Sequence, residues 1–164
     1  MGYCLLRRTE IHFQKLNTMT DENTKEFASE EVPSSKKGFN ILILDDDRFL
    51  LDMYSLKFTQ EGNTIQACLS VDEVLTALRN GFAADAIVFD LVLPNKDGFE
   101  LLRSLKEEKL GEKAVLIALT NQGEDEERKK TEEMGADGYI VKASTVPSEV
   151  VTTIVGMIKE HHAA

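Results

Sequence analysis

Asp45-Asp46, Asp90, Thr120 and Lys142 each close a short apolar run of the chain. The runs are Ile41-Leu42-Ile43-Leu44, Ala86-Ile87-Val88-Phe89, Ala114-Val115-Leu116-Ile117-Ala118-Leu119 and Gly138-Tyr139-Ile140-Val141. Three carboxylates brought to one place repel one another unless a cation sits among them. A hard, oxygen-liganded divalent ion answers that need, and Mg²⁺ suits it because it keeps several waters and takes few protein carboxylates. Lys142 supplies a point charge and Thr120 a hydroxyl donor, both matched to phosphoryl oxygens. An Asp nucleophile with a metal ion, a lysine and a hydroxyl describes phosphoryl transfer onto a carboxylate, where catalysis is mainly positioning and charge neutralisation.

Such chemistry requires the four run ends to meet, so the elements between them matter. Arg48 to Phe58 places Leu50, Met53, Tyr54 and Phe58 at helical spacing, and Gly62-Asn63 turns the chain into a weaker strand, Thr64 to Cys68. Val71 to Leu78 reads as a helix stopped by Asn80-Gly81, and Phe99 to Lys106 as another through Phe99, Leu102 and Leu105. Glu124 to Met134 is a strongly charged helix with acidic residues leading and Gly135 as its stop. Glu124–Arg128, Asp125–Lys129 and Glu126–Lys130 are spaced for i,i+4 pairing along it. Pro147 opens a last helix expected to run to about Lys159. Strand and helix thus alternate about five times, which predicts an α/β, doubly wound (βα)5 fold: a parallel five-stranded sheet with helices on both faces. In such sheets the site lies beyond the carboxyl ends of the strands, where strand order reverses. All four run ends emerge at that edge.

The chain of 164 residues suits one domain plus a tail, and 42% hydrophobic with 29% charged residues excludes a membrane or wholly disordered chain. A formal charge of -10 argues against nucleic acid as a partner, since phosphate backbones demand clustered Lys and Arg. Residues 1–37 lack sustained periodicity and end in a polar run, Glu30 to Gly38, so they read as a flexible N-terminal segment preceding a domain at 38–164. Leu5, Leu6, Ile11, Phe13 and Leu16 could form a short helix there, and Met19 is a candidate true start. Cys4 and Cys68 have no metal-type spacing, and Cys68 reads as a small core side chain. No signal peptide or bilayer-spanning run is evident, so a cytoplasmic location is expected.

Taken singly, several of these residues have plainer readings. Asp47 reads more simply as a helix N-cap than as a ligand, and Asp97 with Glu100 as an ordinary capping pair. Thr120 alone would be a strand-end hydroxyl and Lys142 alone a solvated charge, while His161 and His162 read as a frayed tail. The case for chemistry rests on the complementary set.

With these motifs the sequence resembles the receiver (CheY-like) domains of response regulators, over about residues 38–162. Ile41 to Asp47 is similar to that family's first strand and acidic pair, and Phe89 to Gly98 to its phosphorylation strand and loop. Leu119-Thr120 and Gly138 to Lys142 are similar to its switch hydroxyl, switch aromatic and lysine. The resemblance implies that Asp90 accepts a phosphoryl group from a phosphohistidine of a sensor histidine kinase or histidine phosphotransfer protein. It implies that Asp46, Asp90 and the backbone carbonyl of Val92 ligate Mg²⁺ directly, with Asp45 acting through water. Lys142 and Thr120 would hold phosphoryl oxygens. Pulling Thr120 inward would let Tyr139 turn inward and alter the surface of the fourth helix, fifth strand and fifth helix for a downstream protein.

Two positions depart from the family pattern. Proline usually follows the lysine, often after a cis bond, but here it is Ala143, so either a trans bond with a shifted loop or a cis bond is expected. The residue after the switch threonine is usually small, yet here it is Asn121, whose bulk can restrict access to Asp90. No output module follows the last helix, and residues 40–160 contain no histidine, so a stand-alone receiver is expected rather than a phosphohistidine donor or metabolic enzyme. An Asp-nucleophile phosphohydrolase would want an acid/base Asp at the position of Val92. A degenerate receiver serving only as a binding module would not need the complete acceptor set.

Overall fold

The computed structural model describes residues 38–164, apart from residue 122. The expectations for residues 1–37, including the start at Met19, lie outside the described residues. Five parallel strands form one sheet: β1 (Asn40–Leu44), β2 (Thr64–Cys68), β3 (Ala86–Phe89), β4 (Val115–Thr120) and β5 (Gly138–Val141). Between and after them run α1 (Arg48–Gln60), α2 (Val71–Arg79), α3 (Gly98–Glu108), α4 (Asp125–Glu133) and α5 (Pro147–Ala163). Strand order is β2-β1-β3-β4-β5, so the chain reverses direction across the sheet between β1 and β3. This is the CheY-like, flavodoxin-type doubly wound arrangement that the alternation implied.

The two faces follow from the strand period of two. Ile41, Ile43, Val88, Ile117, Leu119 and Ile140 point to one side, where α1 contributes Leu51, Tyr54 and Phe58, and α5 contributes Val150, Val151, Ile154, Val155 and Ile158. Leu42, Leu44, Ile87, Phe89 and Ala118 point to the other, against Val71, Val74, Leu75 and Leu78 of α2 and Leu101, Leu102 and Leu105 of α3. Because both faces are covered, β1 and β3 are apolar almost throughout. Burial also explains Cys68, whose thiol is pushed up to about 11 and left inert.

Helix ends obey local rules. The Asp47 side chain accepts from the Phe49 and Leu50 N–H groups, and Asp97 with Glu100 forms a complete reciprocal capping box. Two expectations need correction. His162 is not a frayed tail: α5 stays helical to Ala163, Nε2 of His162 lies 3.3 Å from Asp85 Oδ1, and its ring packs on Phe39. The i,i+4 pairs expected on α4 are not among the ion pairs of the described residues; Arg128 and Lys130, the basic members of two of the three, lie over aromatic rings instead. At Ala143 the described backbone has no cis bond, and Lys142–Ser144 forms a short 3₁₀ turn.

Candidate functional site

The sheet brings the acidic residues together by register. Leu44 of β1 pairs with Phe89 of β3, so Asp45 and Asp90 leave adjacent strands at the same level. The Asp90 N–H donates to the Leu44 carbonyl at 2.9 Å, which ties the acceptor's backbone to the sheet edge. On the far side Thr120 pairs with Val141, so Lys142 is the next residue out.

Asp45 and Asp90 are almost fully enclosed, at 3% and 5% exposure. Lys142 lies between them, its Nζ donating to Asp45 Oδ2 at 2.5 Å and to Asp90 Oδ2 at 2.7 Å. The other oxygens are also used: Asp45 Oδ1 accepts from the Asp47 N–H at 2.9 Å, and Asp90 Oδ1 from the Val92 N–H at 3.0 Å. Burial, the largest influence on Lys142, lowers its pKa, but the bonds and charges of Asp45 and Asp90 together outweigh it and hold the ammonium above its ordinary range. Burial also raises the phenol pKa of Tyr54, which feels the charges of Lys142 and Asp45 from beneath the site.

Asp46 is exposed, and one oxygen each from Asp45, Asp46 and Asp90 lies within 4.8 Å of the others. Around them opens a cleft of about 290 Å³ lined by Asp45, Asp46, Asp47, Leu50, Asp90, Val92, Asn121 and Lys142. The donors that can face a cation here are oxygens alone, the set a hard divalent ion takes. The one ammonium present neutralises only part of three carboxylate charges. These residues fit Mg²⁺.

Of the residues expected from sequence, Asp45, Asp46, Asp90, Val92 and Lys142 surround this cleft, whereas Thr120 and Tyr139 are not among its lining residues. Thr120 is fully buried at the end of β4, on the same face as Ala118 by strand alternation. Tyr139 pairs directly with Ala118 and is partly buried on that face. Its hydroxyl donates to Glu127 Oε1 at 2.6 Å, and the Arg128 guanidinium stands 5.1 Å from its ring centre. Burial and then the Glu127 carboxylate push its phenol pKa well up, so the hydroxyl keeps its proton at any ordinary pH.

Gly98, which the sequence reading took only as the end of the phosphorylation loop, is a positioning residue. A Cβ on it would stand 2.8 Å from the Asp90 carbonyl oxygen and 2.9 Å from Leu91 Cα, both backbone atoms. Only glycine lets α3 start so close behind the acceptor strand. Gly98→Ala is expected to lower unfolding free energy by about 1–3 kcal/mol, as overpacking does, measured by urea denaturation. Retention of wild-type stability would show that the loop yields freely. The signal available in sequence was a glycine directly after the Asp97 cap.

A doubly wound sheet carrying an acidic, lysine-bridged cleft at its switch point is the make-up of a receiver domain. The chain belongs to the response regulator receiver domain family, which matches residues 41–154. The transcriptional regulatory protein ResD of Bacillus subtilis is 32% identical over 121 residues, covering 73% of this chain and 48% of ResD. The phosphate regulon regulatory protein PhoB of Rhizobium meliloti is 29% identical over 73% of this chain and 52% of its own length. The chain spans about half the length of these curated relatives. Among solved structures, a CheY-like receiver domain protein from Methanospirillum hungatei aligns with a TM-score of 0.69 at 27% identity, covering 77% of this chain and 98% of that one. A BeF3-activated DrrB receiver domain aligns with a TM-score of 0.63 at 28% identity, covering 75% and 98%. This places the chain among the receiver domains of two-component response regulators. No helix of the described residues is long and apolar enough to cross a membrane.

Proposed function

We propose that Asp90 is the phosphoacceptor of a cytoplasmic two-component relay and that Mg²⁺ bound by Asp45, Asp46, Asp90 and the Val92 carbonyl is required for its phosphorylation. The observation that carries this reading is the buried Asp45–Lys142–Asp90 bridge with Asp46 at its open side. In the transfer, a carboxylate oxygen of Asp90 forms a P–O bond while the P–N bond of a partner's phosphohistidine breaks, and the released imidazole nitrogen takes up a proton. Bound Mg²⁺ supplies neutralising charge for the phosphoryl oxygens. Lys142 exchanges its carboxylate partner on Asp90 for a phosphoryl oxygen, remaining anchored by Asp45. The partner is a sensor histidine kinase or a histidine phosphotransfer protein.

Phosphorylation then biases a two-state element. Thr120 turns its hydroxyl to the phosphoryl group, and Tyr139 swings inward over Ala118, its cross-strand partner and the smallest residue of β4. The surface of α4, β5 and α5 is altered for a protein target, and the domain acts without nucleic-acid contact. Residues 38–164 constitute the receiver. The test is Mg²⁺-dependent labelling by acetyl phosphate: one phosphoryl adduct by intact mass is expected, and absence of labelling with metal and donor in excess would sink the reading.

Asn121 is exposed on the rim of the cleft that holds Asp90, where its side chain would screen the acceptor. Asn121→Ala is expected to shorten the phosphoryl lifetime by roughly 3–10-fold, the scale of 0.6–1.4 kcal/mol of barrier. Decay of the adduct after donor removal measures it. An unchanged lifetime would exclude a shielding role.

A further inference from the structure

The turn between β2 and α2 reaches the candidate cation site from two directions. The Cys68 carbonyl accepts the Asp45 N–H at 3.2 Å, which holds the backbone of one buried carboxylate. On the other side, Leu69 to Asp72 and Leu93 to Lys96 form two walls of a cleft of about 50 Å³. That second wall belongs to the loop that follows Val92. The turn itself is fixed by reciprocal bonds: the Glu73 N–H donates to Ser70 Oγ at 3.3 Å, and the Leu69 N–H to Glu73 Oε2 at 2.8 Å. Val71 and Val74, both buried, seat α2 on the sheet behind it.

The loop has far less of its own to hold it. At its start the Val92 N–H donates to Asp90 Oδ1 at 3.0 Å, and at its end the Gly98 N–H donates to the Leu91 carbonyl at 3.0 Å. Between them, Leu93 to Lys96 make one hydrogen bond among those of the described residues, from Lys96 Nζ to Asp72 Oδ1 at 2.5 Å. Leu93 adds partial packing on the core, while Val92, Pro94, Asn95 and Lys96 are exposed. An exposed loop with so few contacts opens locally unless something pins it. Here the pin is an ion pair to a capped helix start, and that start is joined through Cys68 to Asp45. A cation shared by Asp45, Asp90 and the Val92 carbonyl needs the turn and the loop in fixed relation.

We propose that the Asp72–Lys96 pair is a strap that strengthens Mg²⁺ binding by holding the Val92 loop against the β2–α2 turn. Both are positioning residues, since neither lines the acidic cleft. This rests on the reading of Asp45, Asp46, Asp90 and the Val92 carbonyl as the Mg²⁺ site. The signs of the two charges make the strap distinguishable from a simple field. As bare charges, Asp72 draws a cation in and Lys96 repels it, so deleting Lys96 would tighten binding. As a strap the two are equivalent, and deleting either weakens binding.

Calorimetric titration of the full chain with MgCl₂ separates the two. Lys96→Met and Asp72→Asn are each expected to weaken Mg²⁺ binding by about 2–5-fold, the scale of an exposed ion pair. The double variant is expected to bind no more weakly than the weaker single one, because the pair is lost only once. Exchanging the partners, Asp72→Lys with Lys96→Asp, keeps the net charge and is expected to recover most of the affinity. Wild-type or tighter binding in either single variant overturns the strap. Hydrogen exchange in metal-free buffer reads the loop directly. The Val92 and Gly98 amides are expected to exchange about 2–5-fold faster in Lys96→Met, with α5 amides at wild-type rates. Wild-type rates at both loop amides overturn the strap even where affinity falls. Absence of Mg²⁺ binding by the wild type overturns the cation site instead, and the exchange arm still judges whether the pair holds the loop.

Discussion

Asp90→Asn is expected to abolish Mg²⁺-dependent labelling by acetyl phosphate, with a fall of at least ~10²-fold, as follows from deleting the nucleophile of a covalent step. An amide nitrogen or oxygen has none of a carboxylate's nucleophilicity, and no other carboxylate can take its place without moving. Asp45 is committed on both oxygens to Lys142 and the Asp47 N–H, and Asp46 sits outside on the rim. The substitution is isosteric. The new Oδ1 can still accept the Val92 N–H, but Nδ2 then faces the Lys142 ammonium donor to donor where Asp90 Oδ2 had accepted, so the variant is expected to stay folded on the Lys142–Asp45 bond with a urea midpoint modestly below wild type. Loss of labelling in a variant that stays folded isolates the chemistry from the fold. Equal labelling of variant and wild type would refute the acceptor assignment outright.

The second large effect is expected from Lys142→Met, which keeps the length of the side chain and removes the ammonium. Asp45 and Asp90 then face each other with little solvent between them. Breaking a buried pair typically costs 3–5 kcal/mol, and the open cleft beside this one points to about 3 kcal/mol in metal-free buffer. The same change should tighten Mg²⁺ binding by roughly 10–100-fold, because a unit positive charge a few ångströms from the cation site is removed at an effective dielectric of about 20. Saturating Mg²⁺ should therefore restore much of the lost stability through mass action. Titration of metal-dependent unfolding midpoints measures both at once. Weaker or unchanged Mg²⁺ affinity in the variant would show that the cation does not share this site with Lys142.

A pH dependence accompanies that prediction. Burial lowers the Lys142 pKa, but the two carboxylates outweigh it, so the folded value lies above the ordinary 10.5. Stability from the bridge is thus fully present below about pH 10 and is lost as pH rises through the folded value. Lys142→Met should lack this alkaline step.

Much of the fold was legible because its signals are local. The wholly apolar runs of β1 and β3 announce strands covered on both faces, and Asp47, Asp97 and Gly135 mark helix ends through bonds spanning a few residues. Leu51 was passed over in α1 although it is buried, since three apolar residues in succession, Phe49-Leu50-Leu51, blur the helical phase. Gly98 escaped for a different reason: its constraint is a backbone eight residues away, visible only once α3 starts against β3. His162 was misjudged because its partners, Asp85 and Phe39, stand far earlier in the sequence and meet it only in the folded chain.

By itself the sequence determined which groups stand at the strand ends: carboxylates after β1 and β3, a hydroxyl closing β4, a lysine after β5. It also determined that strands and helices alternate, since periodicity and caps are properties of neighbouring residues. Only the tertiary structure decided what those groups do to one another. The Lys142–Asp45 bridge joins residues 97 apart, and it exists because strand order puts β1 beside β3. Strand parity placed Thr120 and Tyr139 on one face, and packing turned the charges of α4 away from one another and onto Tyr139 and Phe99. Local sequence encodes elements through short-range bonds, whereas electrostatic pairing depends on distances that only the closed sheet sets.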